Sequence, residues 1–207
     1  MSHYVKFTYQ RVRADIAPFN ALPELNTCRR ELLKLRLMGV DSNGVGFGNL
    51  SVRDGATRNF YITGSATGGL PKLSLTDCVL VVDCDFEKNW LQYEGTAIPS
   101  SESLTHAALY ESDTSISAVI HCHDSGLWAT LCDRSPTTSK TVAYGTSEMA
   151  YEIVRLFKGT DVRSRKILIM AGHEGGIVTF GKDRHEAFAV LMREGKESSI
   201  LRRKRFP

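Results

Sequence analysis

Apolar residues recur every three to four positions from Pro23 onward, at Leu25, Cys28, Leu32, Leu35 and Met38, and Gly39 follows. That spacing predicts an amphipathic helix that stops at the glycine. A glycine-rich loop, Asn43-Gly-Val-Gly-Phe-Gly48, leads into a short strand over 49–53, with 59–63 as its hairpin partner. A second loop, Gly64-Ser-Ala-Thr-Gly-Gly69, precedes the most apolar strand of the chain, 78–83. Pro99-Ser-Ser-Glu102 opens a helix to about Tyr110, with Ser100 or Ser101 as its N-cap. The run 117–123, Ser-Ala-Val-Ile-His-Cys-His, alternates and is β-branched, so it reads as a strand. Helices then follow over about 124–131, 147–157 and 184–193, the last capped by Asp183, with strands over 166–170 and 176–180 between them. Residues 1–20 carry no periodicity and read as an N-terminal extension to a domain over 21–207. Hairpins interleaved with helices predict one α/β layered domain with a largely antiparallel or mixed sheet.

Composition narrows the class without naming it. With 207 residues, 42% hydrophobic and 24% charged, the chain suits an ordinary globular core. The net charge of +3 is too small to imply a polyanion partner, and much of the excess lies in the tail Arg202-Arg-Lys-Arg205. Five cysteines with no C-x-x-C pair argue against a disulfide scaffold and for a reducing, cytoplasmic setting. The first twenty residues mix Lys6, Arg11 and Arg13 without an apolar core, and no apolar run reaches the length of a membrane span, so neither a signal peptide nor an anchor is expected.

Candidate chemistry starts at His121 and His123, two of only six histidines. On a strand they share one face, with Cα atoms roughly 6 to 7 Å apart. Such a pair either faces water or converges on one metal ion, which takes nitrogen at about 2.0 to 2.1 Å. His173 stands among glycines at a strand end, where the backbone can approach a ligand closely. Glu102 begins a helix after paired serines, and His106 lies four residues on, along the same face. A catalytic zinc uses ligands of this His and carboxylate kind and keeps one position open. Cys122 points to the opposite face of its strand and reads as core. Asp124 reads as a helix cap, Glu174 as a solvated carboxylate, and His3 and His185 as surface residues. The Gly44-Val-Gly-Phe-Gly48 loop leads into a strand, which rejects a dinucleotide fingerprint.

The series Gly48-Asn-Leu-Ser-Val-Arg53, Pro99-Ser-Ser-Glu102, Ala118-Val-Ile-His-Cys-His123, Tyr144-Gly-Thr-Ser-Glu148, Gly172-His173 and Phe180-Gly-Lys182 resembles the class II aldolase/adducin family, most nearly its fuculose-1-phosphate aldolase type. The likeness spans about residues 24 to 195. It implies a three-layer α/β domain with a central, mostly antiparallel or mixed sheet flanked by helices. It further implies one zinc ion per subunit, held by His121, His123, His173 and Glu102, with His106 supporting from behind. Glu102 would leave the metal when a ketose phosphate chelates it and then act as general acid/base on an enediolate. Other divalent metals suit the same ligands.

The resemblance also implies a phosphate pocket from Asn49, Ser65, Ser100 and Ser101, a homotetramer with sites between subunits, and a neighbour's aromatic, for which Tyr144 is the candidate. One departure bears on substrate: the family's T-P-S/T-G turn is Thr63-Gly-Ser-Ala66 here. An aldolase is expected over the family's epimerases, which carry Asp in place of Glu102; its dehydratases and decarboxylases stay open. An adducin-like scaffold is the non-enzymatic alternative, and retention of the whole ligand set argues against it.

Overall fold

The computed structural model describes residues 5–197; His3 and the basic tail at 202–205 lie outside them. Ten strands and six helices follow in chain order: β1 (Thr8–Arg13), α1 (Leu22–Lys34), β2 (Gly39–Val40), β3 (Gly46–Phe47), β4 (Asn49–Arg53), β5 (Phe60–Thr63), β6 (Cys78–Asp85), β7 (Trp90–Glu94), α2 (Ser103–Ser112), β8 (Ala118–His123), α3 (Ser125–Leu131), α4 (Ser147–Gly159), α5 (Val162–Arg165), β9 (Ile167–Ile169), β10 (Gly176–Gly181) and α6 (Arg184–Glu197). Eight strands form one sheet in the order β1-β7-β6-β5-β4-β8-β10-β9, and β2 with β3 makes a small hairpin. Every pairing is antiparallel except β1 on β7.

Alternation along the strands builds two cores. Val119 of β8 and Val178 and Phe180 of β10 join Leu104, Leu109, Met149 and Ile153 of α2 and α4 on one face. Ile120, Cys122 and Ile177 join Leu25, Leu32, Leu127 and Leu191 of α1, α3 and α6 on the other. The result is the three-layer α/β arrangement, with both faces of the sheet buried. Among the described residues no helix is long and apolar enough to cross a membrane.

Three elements depart from the hydrophobic pattern. The first helix ends at Lys34 rather than running to Gly39, because Arg36 takes a left-handed φ of 55°. Leu37 N–H then donates to Leu32 O and Arg36 N–H to Leu33 O, the two bonds of a Schellman stop. The second helix starts later than expected: Glu102, with φ −92° and ψ 7°, occupies the N-cap position in place of Ser100 or Ser101. Ser100 Oγ accepts the Glu102 N–H at 3.3 Å outside the helix, so the serines shape the approach and not the first turn. The segment over 1–20 holds an edge strand, β1, whose side chains are nearly all exposed, so no alternation announces it. Phe7 anchors it in the core at 5% exposure.

Candidate metal centre

Strand register brings the first two histidines together. His121 pairs with Asn49 across β4, and His123 with Gly176 across β10, so both imidazoles leave the same face at the end of β8. Cys122 between them is fully buried in the opposite core. His173 arrives from the turn between β9 and β10, which closes with His173 N–H donating to Met170 O and Gly176 N–H to His173 O. A Cβ on Gly176 would stand 2.8 Å from the His173 ring, so only glycine lets the turn fold this tightly. Asp124 caps α3 by accepting the Leu127 N–H, and Glu174 and His185 are exposed.

The ligand nitrogens of His121, His123 and His173 all lie within 4.8 Å of one another. The His121 and His123 Nε2 atoms are 3.0 Å apart. The edge of a tetrahedron with ligands at about 2.0 Å is ~3.3 Å, close to that separation. Glu102 approaches from the start of α2, its Oε1 3.9 Å from His173 Nε2. Glu102 is 2% exposed, and Oε1 has no hydrogen-bond partner, while Oε2 accepts from Thr105 Oγ1 at 2.8 Å. A buried carboxylate oxygen without a donor is costly, and an ion beside it removes that cost.

Burial sets the protonation states. It pushes the His123 imidazole down to about 4 and His173 to about 3, the latter helped by His123 and Lys6. Burial, then the facing His123 and His173, holds His121 well below the ordinary range. All three are therefore neutral at neutral pH, with lone pairs free for a cation. Burial raises the Glu102 carboxyl to about 7 against the Thr105 hydrogen bond and the Lys6 charge. His106 is also fully buried: its Nδ1 lies 2.7 Å from Ser51 Oγ, which lies 2.7 Å from Tyr110 OH.

The centre forms the floor of a cavity of about 340 Å³. Asn49, Ser65, Ser100 and Ser101 all line it, as do Tyr144 and Phe47. No lysine or arginine does among the described residues, so the lining offers hydroxyl and amide groups. Ser65 stays in the cavity despite the altered turn, because its N–H donates to Ile98 O and the Gly64 N–H to Asp77 O, both at 2.8 Å, while the fully buried Arg29 ties down the next loop through the carbonyls of Thr67 and Leu70. Tyr144, expected across a subunit boundary, lies on its own chain's centre, 4.3 Å from the His173 ring. Gly172 permits this: a Cβ there would stand 2.1 Å from Val142 O, on the segment that carries Tyr144. Hydrophobic spacing singles out neither Phe47, 5.4 Å from the His123 ring, nor Lys6, whose Nζ stands 3.6 Å above the Tyr144 ring.

A partly buried three-histidine cluster beside a carboxylate, on a sheet covered by helices on both faces, is an arrangement that could hold a divalent cation. The sequence profile of the Class II Aldolase and Adducin N-terminal domain matches residues 34–193, and the chain belongs to that family. Solved structures share the fold at low identity. An L-fuculose 1-phosphate aldolase is 24% identical, with 89% of this chain and 85% of that one covered and a TM-score of 0.64. The L-fuculose-1-phosphate aldolase of Thermus thermophilus is 17% identical, with 89% and 93% covered and a TM-score of 0.61. YgbL of Escherichia coli, described as a putative aldolase/epimerase/decarboxylase, is 17% identical, with 86% of each chain covered and a TM-score of 0.64. No curated protein sequence matches the chain.

Proposed function

We propose that the protein is a zinc-dependent aldehyde-lyase that cleaves a ketose 1-phosphate, or a similar hydroxy-carbonyl compound, by a retro-aldol reaction. One observation carries this reading: three neutral imidazoles cluster in a cavity, and the unpartnered Oε1 of Glu102 lies 3.9 Å from the His173 Nε2. That donor set fits zinc, and nearly as well manganese, iron or cobalt. When bound, the ion supplies Lewis acidity, stabilising the negative charge that develops on a carbonyl oxygen.

The chain's own residues supply the rest. Glu102, raised to about 7, has the proton affinity of a general acid/base at neutral pH. In cleavage, the hydroxyl proton of the carbon that becomes the aldehyde passes to water in the cavity as the C–C bond breaks, and the aldehyde leaves. The electron pair stays on the donor fragment, and Glu102 returns a proton to that carbon. Asn49, Ser65, Ser100 and Ser101 hold the phosphate, donating from the serine hydroxyls and the Asn49 amide nitrogen. Tyr144 walls the side toward the aldehyde fragment, against His173. His106, anchored to Ser51, supports the centre from behind. The structural neighbours named as fuculose-phosphate aldolases support a phosphorylated sugar. A homotetramer in the cytoplasm, one zinc per subunit, completes the reading.

The test begins with metal content by mass spectrometry. About one zinc per chain is expected for wild type and none for His121→Ala. Zinc-loaded protein is then incubated with dihydroxyacetone phosphate in heavy water, and deuterium incorporation at the hydroxymethyl carbon supports the aldolase. Metal without exchange points to another ketose or to the epimerase, dehydratase or decarboxylase reactions of the same site. No metal in wild type after incubation with zinc refutes the enzyme reading in favour of a scaffold.

A further inference from the structure

The geometry points to Thr105 as the positioning residue that fixes how Glu102 meets a metal ion, an inference that rests on the metal reading above. Thr105 lies one turn into α2 from Glu102 and is fully buried. In a helix a threonine hydroxyl commonly bonds the carbonyl three or four residues back. Here the Glu102 carbonyl is taken by the His106 N–H, and the Thr105 hydroxyl donates instead to the Glu102 carboxylate, Oε2, at 2.8 Å. The other oxygen, Oε1, is left buried, without a partner and 3.9 Å from His173 Nε2.

The two oxygens of a carboxylate are equivalent, and its last torsion is soft. An unrestrained Glu102 would offer either oxygen, or both, to a cation. With Oε2 pinned by a β-branched side chain on a helix, one oxygen remains, and the plane of the carboxylate is set by α2. Thr105 thus selects ligation through Oε1 alone. It also keeps the carboxylate beside the centre when Oε1 is displaced, because the hydrogen bond to Oε2 does not depend on the metal.

The experiment measures zinc affinity by competition with a chromophoric chelator, and the visible absorption of the cobalt-loaded protein, in Thr105→Val and Thr105→Ser. Thr105→Val is expected to weaken zinc binding about tenfold, as loss of a partner that orients a ligand does, and to shift the cobalt bands. Thr105→Ser, which keeps the hydroxyl, restores both. In a Glu102→Ala background, Thr105→Val should change neither quantity, since its effect runs through the carboxylate. Wild-type affinity and spectrum in Thr105→Val overturn the inference, as does a loss that persists without Glu102. If wild type itself binds neither zinc nor cobalt, the metal reading falls with it, and that result is distinct from the other two.

Discussion

Replacing Glu102 with glutamine should stabilise the metal-free protein at alkaline pH relative to wild type, and much less at acid pH. The carboxyl is 2% exposed, and burial raises it from 4.5 to about 7. A carboxyl raised on folding contributes stability that is fully present below its unfolded value and is lost as pH rises through the folded one. Relative to the protonated side chain, the cost is about 1 kcal/mol at pH 5 and about 3 kcal/mol at pH 8.5. Glutamine keeps the shape and can still accept from Thr105, but it never ionises. The constant part of the substitution is the same at both pH values, and the histidines titrate equally in both proteins. The wild-type deficit should therefore widen by about 2 to 3 kcal/mol between pH 5 and 8.5. Urea denaturation of both proteins in chelator at each pH reads this directly. A difference between the two proteins that is flat across that range, or that favours wild type as pH rises, would refute the claim that Glu102 is buried without compensation.

Other expectations follow from the same packing. Arg36→Gly should stabilise the fold by about 1 kcal/mol, since the left-handed stop of α1 costs glycine nothing; a thermal melt measures it. Gly172→Ala should separate Tyr144 from His173, because its Cβ meets Val142 O at 2.1 Å; loss of quenching between the 140–145 segment and the centre on cobalt loading, followed by tyrosine fluorescence, checks this. His106, held down to about 3 by burial, costs stability as pH falls below about 6.5, and by pH 5 the loss is about 2 kcal/mol. The urea midpoint of His106→Gln should accordingly fall less steeply from pH 7 to 5 than that of wild type.

Much of the centre is legible in the order of residues alone. The alternation Val119-Ile-His-Cys-His123 assigns the histidines to one face and Cys122 to the other, because the period of a strand is two whatever the fold around it. The glycines flanking His173 mark a tight turn for the same local reason. Other parts are decided across the fold. Trp90–Glu94 does alternate, with Leu91 and Tyr93 buried, but the segment is short and bordered by charge. Strand β1 has one half-buried side chain, Tyr9, edge-on to Tyr93 of β7, and otherwise pairs by backbone hydrogen bonds at an edge, so alternation cannot announce it. Thr105 reads as an ordinary helix residue until the carboxylate three positions back turns toward it. The start of α2 escapes the residue pattern because a serine can cap a helix or brace the loop before it, and only backbone angles separate the two.

The parallel edge strand has a practical corollary. The residues that lead into it carry Lys6 over the Tyr144 ring, which itself lies against His173, so a cation, an aromatic ring and an imidazole touch in series. What looks like a decorative border of the sheet reaches the candidate metal centre. A fusion, a cleavage scar or a truncation that disturbs residues 5–13 therefore alters the candidate site by another route, and preparations that differ only there should be compared for metal affinity before any other property.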